Sequence, residues 1–504
     1  MHNFFYQKKL RIAEAITVLA AYFVNTQVCS IIFFMKYFNT IVICFAVMLF
    51  SGFVRGFASE VAEDYYDIAK NYYKEGSNDK ALEYVNQILL REHDNQSAIG
   101  LKIKLTPPSI SKALPDIDSL TDYDLPNAAL SNPQSNAYYK QGMEYYKNKN
   151  YPEAESCLKA ALQADNTGCG VYNALGIVYL VQKKQEEAKN AFEKANSLNK
   201  YFTAPLNNLA VMYKQIGNNE KRYNTLMKAQ SLKPENIYTC MFLGDYYRDI
   251  QDYENALKSY RDAIKLNPKY NPAYIKIAKT KADNFDFAGS NETLNYYGRL
   301  NPDDDFVYYL MAKNFVCMNK FDKAKESIYK AILMNNCTEY RIELGKINYQ
   351  TDEIQDALDN FKSTLNICTS SEVCNYIGMC YYNLHDFNKA IESINKAISM
   401  PDARILYSYN LAKIYYTLKD NTNYMKYMDN IKNFVPSRWQ DFIDMSGILL
   451  ESESKNAAIY IINQGIDKYP KVKELYLEKL KIYKLTDDIQ GVGQTKLEIE
   501  NAFR

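Results

Sequence analysis

Three histidines, His2, His93 and His385, are the chain's whole supply of side chains that ordinarily titrate near neutral pH. They are scattered, and neither a His pair nor a Cys pair has the spacing of a metal ligand set. Beyond residue 58 the cysteines are Cys157, Cys169, Cys240, Cys317, Cys337, Cys368, Cys374 and Cys380. The trio Cys368, Cys374 and Cys380 is the one place where a disulfide or soft-metal site merits a test. Cys240 and Cys374 instead stand where a small apolar core residue is expected. No glycine-rich phosphate loop occurs, and Gly491-Val492-Gly493 has no continuation to one. Carboxylates are abundant, but on stretches that read as solvated helix faces. An enzyme needs a positioned acid, base, nucleophile, metal or cofactor. These residue types at these spacings predict a non-catalytic chain without cofactor or metal site.

What must position the remaining candidates is then a question of architecture. At 504 residues the chain exceeds one ordinary core, which stops growing near about 250–300 residues, so it is an array or several domains. Hydrophobic residues at 47% and charged residues at 24% exclude global disorder. With only 18 Gly and 14 Pro, most of the chain is free to be helical. Lys plus Arg (60) against Asp plus Glu (59) gives a net charge of +1 and no general attraction to nucleic acid.

Residues 35–58, within "MKYFNTIVICFAVMLFSGFVRGFASE", follow the three-part plan of a secretory signal peptide: Lys36, the apolar run Ile41–Phe50, then small residues up to Ala58. The apolar run is short for a membrane span of about 20 residues. Cys44 follows Ile43, where a lipoprotein signal wants a smaller residue. The expectation is cleavage after Ala58 and export to the periplasm or cell envelope, with residues 1–34 a misassigned start upstream of Met35. The alternative is a membrane anchor formed by residues 13–54.

From there the chain repeats itself. Equivalent sites fall at Ala81, Ala154, Ala188, Arg222, Ala256, Ser290, Ala324, Ala357, Ala390, Tyr424, Ala458 and Val492; after the first gap every interval is 33 or 34 residues. A small residue precedes most of them by twelve positions, as at Gly142, Gly176 and Gly244, and a bulky one follows that by three, as at Tyr145, Tyr179 and Tyr247. A closing Pro stands at Pro234, Pro268, Pro302, Pro436 and Pro470. Each unit is two amphipathic helices ended by a residue without an N–H to continue the ladder. One pair cannot cover its own apolar face, so neighbours must stack. That predicts an all-α, right-handed α-solenoid of about twelve helix-turn-helix units.

The spacing, and Tyr238, Leu243-Gly244, Tyr247, Ala256, Tyr260, Ala263 and Pro268 within it, resembles the tetratricopeptide repeat. Arg222, Ser290, Tyr424 and Val492 depart from the pattern at the small-residue site, and Lys281 at the Tyr site. The resemblance implies that the first helix of each unit lines a concave groove. It places Lys70, Lys279, Lys313, Lys346, Lys413 and Lys481 in one inward column, with Tyr66, Tyr73, Tyr309, Tyr349, Tyr409 and Tyr416 beside them. Units without the Lys keep aromatics at Tyr139, Tyr146 and Tyr382. Such a groove suits an extended peptide with acidic and apolar side chains. The competing reading is that Tyr is common everywhere here and Lys merely solvates the surface.

Residues 106–134 break the period. They carry five Pro and the carboxylates Asp116, Asp118, Asp122 and Asp124, and read as an acidic linker that could also serve as an internal ligand for the lysine column. The expected organisation is therefore an export region (1–58), one isolated unit plus a helix (59–105), the linker (106–134) and the main array (135–504). The expected function is a non-catalytic protein-interaction scaffold of the bacterial cell envelope. A glycan- or peptidoglycan-binding protein and the repeat arm of a multi-chain enzyme are the alternatives.

Overall fold

The computed structural model describes residues 62–109 and 132–502, except 366, 368, 452, 453 and 471. The expected signal peptide, the alternative anchor, the carboxylates of the linker and Cys368 lie outside the described residues. Among the described residues the regular elements are helices, and none is long and apolar enough to cross a membrane. The chain divides into two compact units, Met1–Leu105 and Thr106–Arg504.

In the first unit, helices at 62–74, Asn78–Arg91 and Gln96–Leu105 close around Ala69, Ala81, Val85, Ile88, Ala98 and Leu101. The second unit is an array of eleven helical hairpins, from Pro133–Lys147 to Ile489–Ala502.

The fourth hairpin, Ile237–Asp249 with Tyr253–Leu266, shows why the sequence folds this way. Asn236 caps the first helix by accepting from the N–H groups of Tyr238 (2.9 Å) and Thr239 (3.2 Å). That helix ends when Gln251 enters the left-handed region (φ 64°), pinned by the Asp252 N–H donating back to the Tyr247 carbonyl at 2.8 Å. Asp252 then caps the second helix. The helices meet across Gly244, where a Cβ would stand 2.4 Å from the Tyr260 ring. Gly176 is held to the same closeness by Phe192 at 2.5 Å. The period's glycines are thus imposed by the bulky side chain opposite, an aromatic ring here and Leu158 or Ile394 at Gly142 and Gly378.

Departures from the pattern are filled with polar bonds. Arg222, in the Ala site, is buried and donates to Asp249 at 2.7 Å. Ser290 donates to the Ala278 carbonyl at 2.8 Å, and Lys281 donates to the Gly289 carbonyl at 3.1 Å and to Thr293 at 3.0 Å. In the last hairpin Val492 is only half-buried. Gly491 takes the close approach, with a Cβ position 2.3 Å from Tyr483.

Two features differ from the expectation for the linker. The first array helix begins at Pro133, inside the expected 106–134 stretch, because Asn132 accepts from the N–H groups of Gln134 (2.9 Å) and Ser135 (3.3 Å) and a first-turn Pro has no N–H to waste. At its other end, Thr106–Ser109 is seated against the loop that opens the seventh hairpin, with a parallel bridge between Ser109 and Cys337.

First helices of successive repeats touch one another directly, while second helices sit between the first helices on either side. That asymmetry curves the array with the first helices inside. The curve returns on itself between the fourth and eleventh repeats. Tyr253, Tyr476 and Ile499 form a shared buried cluster with Phe285, Ile466 and Ala502 against it. Lys473 pairs with Asp283 at 3.1 Å, and Asp283 is also held by Arg248 at 2.7 Å.

Candidate functional site

The inner face of the array is built from side chains that the 33- or 34-residue period stacks one above another. Between the fifth and eighth repeats they form a continuous strip. Lys279 lies over the Phe306 ring (5.3 Å to its centroid) and Lys313 over the Tyr309 ring (5.6 Å). Tyr309 stacks on Phe306 at 5.9 Å and on Tyr340 at 4.9 Å. Lys346 approaches the Tyr376 ring at 5.9 Å, and Tyr349 meets the same ring edge-on at 5.6 Å. In the ninth repeat Lys413 lies over Tyr409 at 5.7 Å, and Tyr416, two-thirds exposed, leans on Tyr424. The four lysine contacts each set a cation on an aromatic face, a pairing worth about 0.5–1 kcal/mol at exposed sites.

The lysines are not uniformly available. Lys346 pairs with Glu372 at 3.0 Å and Lys413 with Glu451 at 2.6 Å, each carboxylate coming from the next first helix. Lys481 is engaged by Glu478 within its own helix at 3.1 Å. At these three points the lysine charge is already met by a resident carboxylate.

The tyrosines are hydrogen-bond donors at neutral pH. Burial pushes Tyr349 up to about 12, and burial with the Glu451 charge does the same for Tyr409. Tyr309 is raised further by burial and by Glu343 and Glu339. These phenols supply flat contact area and O–H groups.

The remaining candidates have other partners. Tyr139 and Tyr146 pack on the Met143–Leu158 core of the first array repeat, with Tyr146 6.0 Å from Tyr151. Tyr382 bonds Thr417 at 3.1 Å and packs on Phe387. Tyr66, Lys70 and Tyr73 belong to the first unit, where the two tyrosines lie against its core and Lys70 is exposed.

Sequence reasoning passed over three groups. Asn208 donates to Asn173 at 3.0 Å and Asn410 to Asn375 at 2.9 Å, buried amide pairs linking successive first helices. Their signal was an Asn–Asn separation of 35 residues. Asp245 is buried with Lys276 at 2.9 Å, and Tyr260 donates to it at 2.6 Å. A cavity of about 30 Å³ lined by Val211, Lys214, Arg222, Phe242 and Asp245 adjoins it, room for little more than a water. The third group is buried Arg341 with Asn336 and Asn360, to whose side-chain oxygens it donates. Cys374 and Cys380 are buried free thiols, with Cys380 pushed up to about 12 by burial. Among the described residues no group of three or more potential metal ligands converges.

The family model described as Tetratricopeptide repeat matches residues 135–167, 170–202, 204–236, 237–270 and 371–403. Anaphase-promoting complex subunit 3 of Schizosaccharomyces pombe is 27% identical over 201 residues, 39% of this chain and 30% of that protein. The TPR repeat-containing protein MJ1428 of Methanocaldococcus jannaschii is 24% identical over 203 residues, 38% of this chain and 34% of that one. The aligned region thus spans about a third of the length of these curated relatives. A solved tetratricopeptide repeat protein from Parabacteroides merdae covers 49% of this chain with 98% of its own, at 21% identity and a TM-score of 0.39. With the repeat motif matched in five segments and the hairpin period running through the array, this chain is a tetratricopeptide-repeat protein.

Proposed function

We propose that this scaffold holds an extended segment of a partner protein along the inner strip of first helices, and that it works after export, in the bacterial cell envelope. The observation carrying the first part is the strip of stacked rings and lysines from Lys279 to Tyr376, with Lys413 over Tyr409 in the next repeat. Rigid aromatics give contact area at low entropic cost, and lysines select acidic residues and fix register. The resident pairs Lys346–Glu372 and Lys413–Glu451 favour guests whose carboxylates fall at repeat spacing, since only those replace a lost ion pair. Export is supported by the signal-like pattern at residues 35–58.

Site-specific photocrosslinking tests the groove. A crosslinker at Lys313 or Tyr409 should capture a discrete partner in cells. One at Tyr460, an exposed residue on a second helix, should not. Equal capture from both faces would remove the groove from the account while leaving a scaffold. N-terminal sequencing of the protein from its native host tests export, with an N-terminus at Ser59 as the expected result.

A further inference from the structure

The seventh repeat breaks its own pattern at one buried position. Four residues before the small residue of each first helix, the other ten array repeats place Tyr, Leu, Cys, Phe or Ser, as at Tyr138, Tyr274 and Phe442; the seventh places Arg341. It is among the largest fully buried side chains in the protein, 2% exposed. Burial lowers its pKa to about 10, a measure of what the position costs a cation.

The arginine is used. Its Nε donates to the Asn336 side-chain oxygen at 2.7 Å and Nη1 to that of Asn360 at 3.2 Å, while Asn360 is itself fixed by donating to the Asp356 carbonyl at 2.8 Å. These bonds lie within the repeat and aim Nη2 outward, where it donates to the Thr106 carbonyl. Asn336 completes the seat: its side-chain N–H reaches the carbonyls of Thr106 (3.2 Å) and Pro107 (3.1 Å). Its own carbonyl accepts from the Ser109 N–H at 2.6 Å and the Ser109 hydroxyl at 3.1 Å. Pro108 is buried against the surface.

We infer that this edge of the seventh repeat is a recognition site for an extended, proline-paired segment, with the chain's own Thr106-Pro107-Pro108-Ser109 as its resident occupant. The seat is held in shape by its own asparagines. It reads main-chain carbonyls, one N–H and the Ser109 hydroxyl, which an extended Pro-Pro-Ser segment presents together. Adjacent prolines fix the extended form in advance and reduce the ordering cost of docking. The resident segment is tethered, so its effective concentration at the seat reaches the millimolar range, and a free segment competes only when the resident one is removed. The site is distinct from the inner strip and does not depend on what binds there.

The test uses full-length chains and a fluorescent synthetic peptide of the sequence KLTPPSI. A T106G/P107G/P108G variant should bind it about tenfold or more tightly than wild type. Adding R341M should abolish that gain, and R341K, which keeps the charge but loses the fork, should retain part of it. A peptide with both prolines changed to alanine should bind about tenfold more weakly. Equal binding by wild type and the strap variant, or indifference to R341M, overturns the inference. Hydrogen exchange at the Ser109 amide of the unsubstituted chain is an independent readout; protection is expected, and random-coil exchange there also overturns it.

Discussion

Two buried carboxylates one turn apart show how much a single residue's surroundings decide. Asp441 and Asp444 share the helix Trp439–Glu451, and burial pushes both upward. Asp441 still ends below the ordinary carboxylate range, because Arg438 donates from its side chain at 2.9 Å and its backbone at 2.8 Å, and Ser437 donates from its backbone at 3.0 Å. Asp444 ends above that range: burial outweighs its pairing with Arg404. A lowered folded pKa gives stability that is present above the unfolded value of about 3.9 and is lost as pH falls through the folded one. A raised folded pKa works the other way, and stability declines as pH rises from the unfolded value through the folded one. Asp441→Asn should therefore cost about 1–3 kcal/mol at pH 6, with the deficit shrinking below about pH 4. Relative to wild type, Asp444→Asn should gain as pH rises above about 4. Unfolding curves from pH 3 to 7 decide it, and the same slope for both variants would contradict the assignment.

At the scale of the helical hairpin, the period was legible because ring-against-glycine contacts such as Gly244–Tyr260 admit few alternatives. Less legible was how firmly each hairpin is held. Tyr424 occupies a small-residue site, and the only buried residue of its helix, Asn421–Lys432, is Ile431. The matching helix of the fourth repeat buries Tyr253, Ala256, Tyr260 and Ala263. Local stability follows buried contact, so amides of 423–432 should exchange by local opening well before those of 256–266, without global unfolding. Equal protection in native-state exchange would show that stacking from neighbours compensates. Of the candidate site, Lys279, Lys313, Lys346 and Lys413 with Tyr309, Tyr349 and Tyr409 were named from neighbouring columns of the period, whereas the rings they rest on, Phe306, Tyr340 and Tyr376, were not. Nor were the lysines' partners Glu372 and Glu451, since each lies in a different repeat and only the curvature decides whether the reach is short enough. Arg341 escaped notice for the same reason: its use depends on a segment 235 residues away.

For the array as a whole, the contact between its fourth and eleventh repeats determines whether the inner face is open or enclosed by a complete turn. The contact is separable by construction. If it parts, Asp283 keeps Arg248 at 2.7 Å, Tyr476 keeps its bond to the Pro470 carbonyl at 3.1 Å, and Lys473 gains water. No buried charge is stranded, so the electrostatic cost of opening is that of a partly exposed ion pair, about 0–1 kcal/mol. What holds the closure is the small apolar cluster of Tyr253, Tyr476 and Ile499. An extended guest longer than the groove could then enter sideways through a transient gap instead of threading by its end. Lys473→Glu, which sets a second carboxylate against Asp283, should shift the array toward the open state, and Tyr476→Ala should do so independently of salt. Spin labels at Glu254 and Lys496, exposed on the two sides of the contact, would report this. A narrow short distance in the wild type should broaden and lengthen in both variants. In the wild type, 1 M salt, where the screening length is about 3 Å, should leave most molecules closed because the aromatic cluster persists. A distribution indifferent to both substitutions would mean that the turn is set by repeat geometry alone and that the inner face has no side entrance.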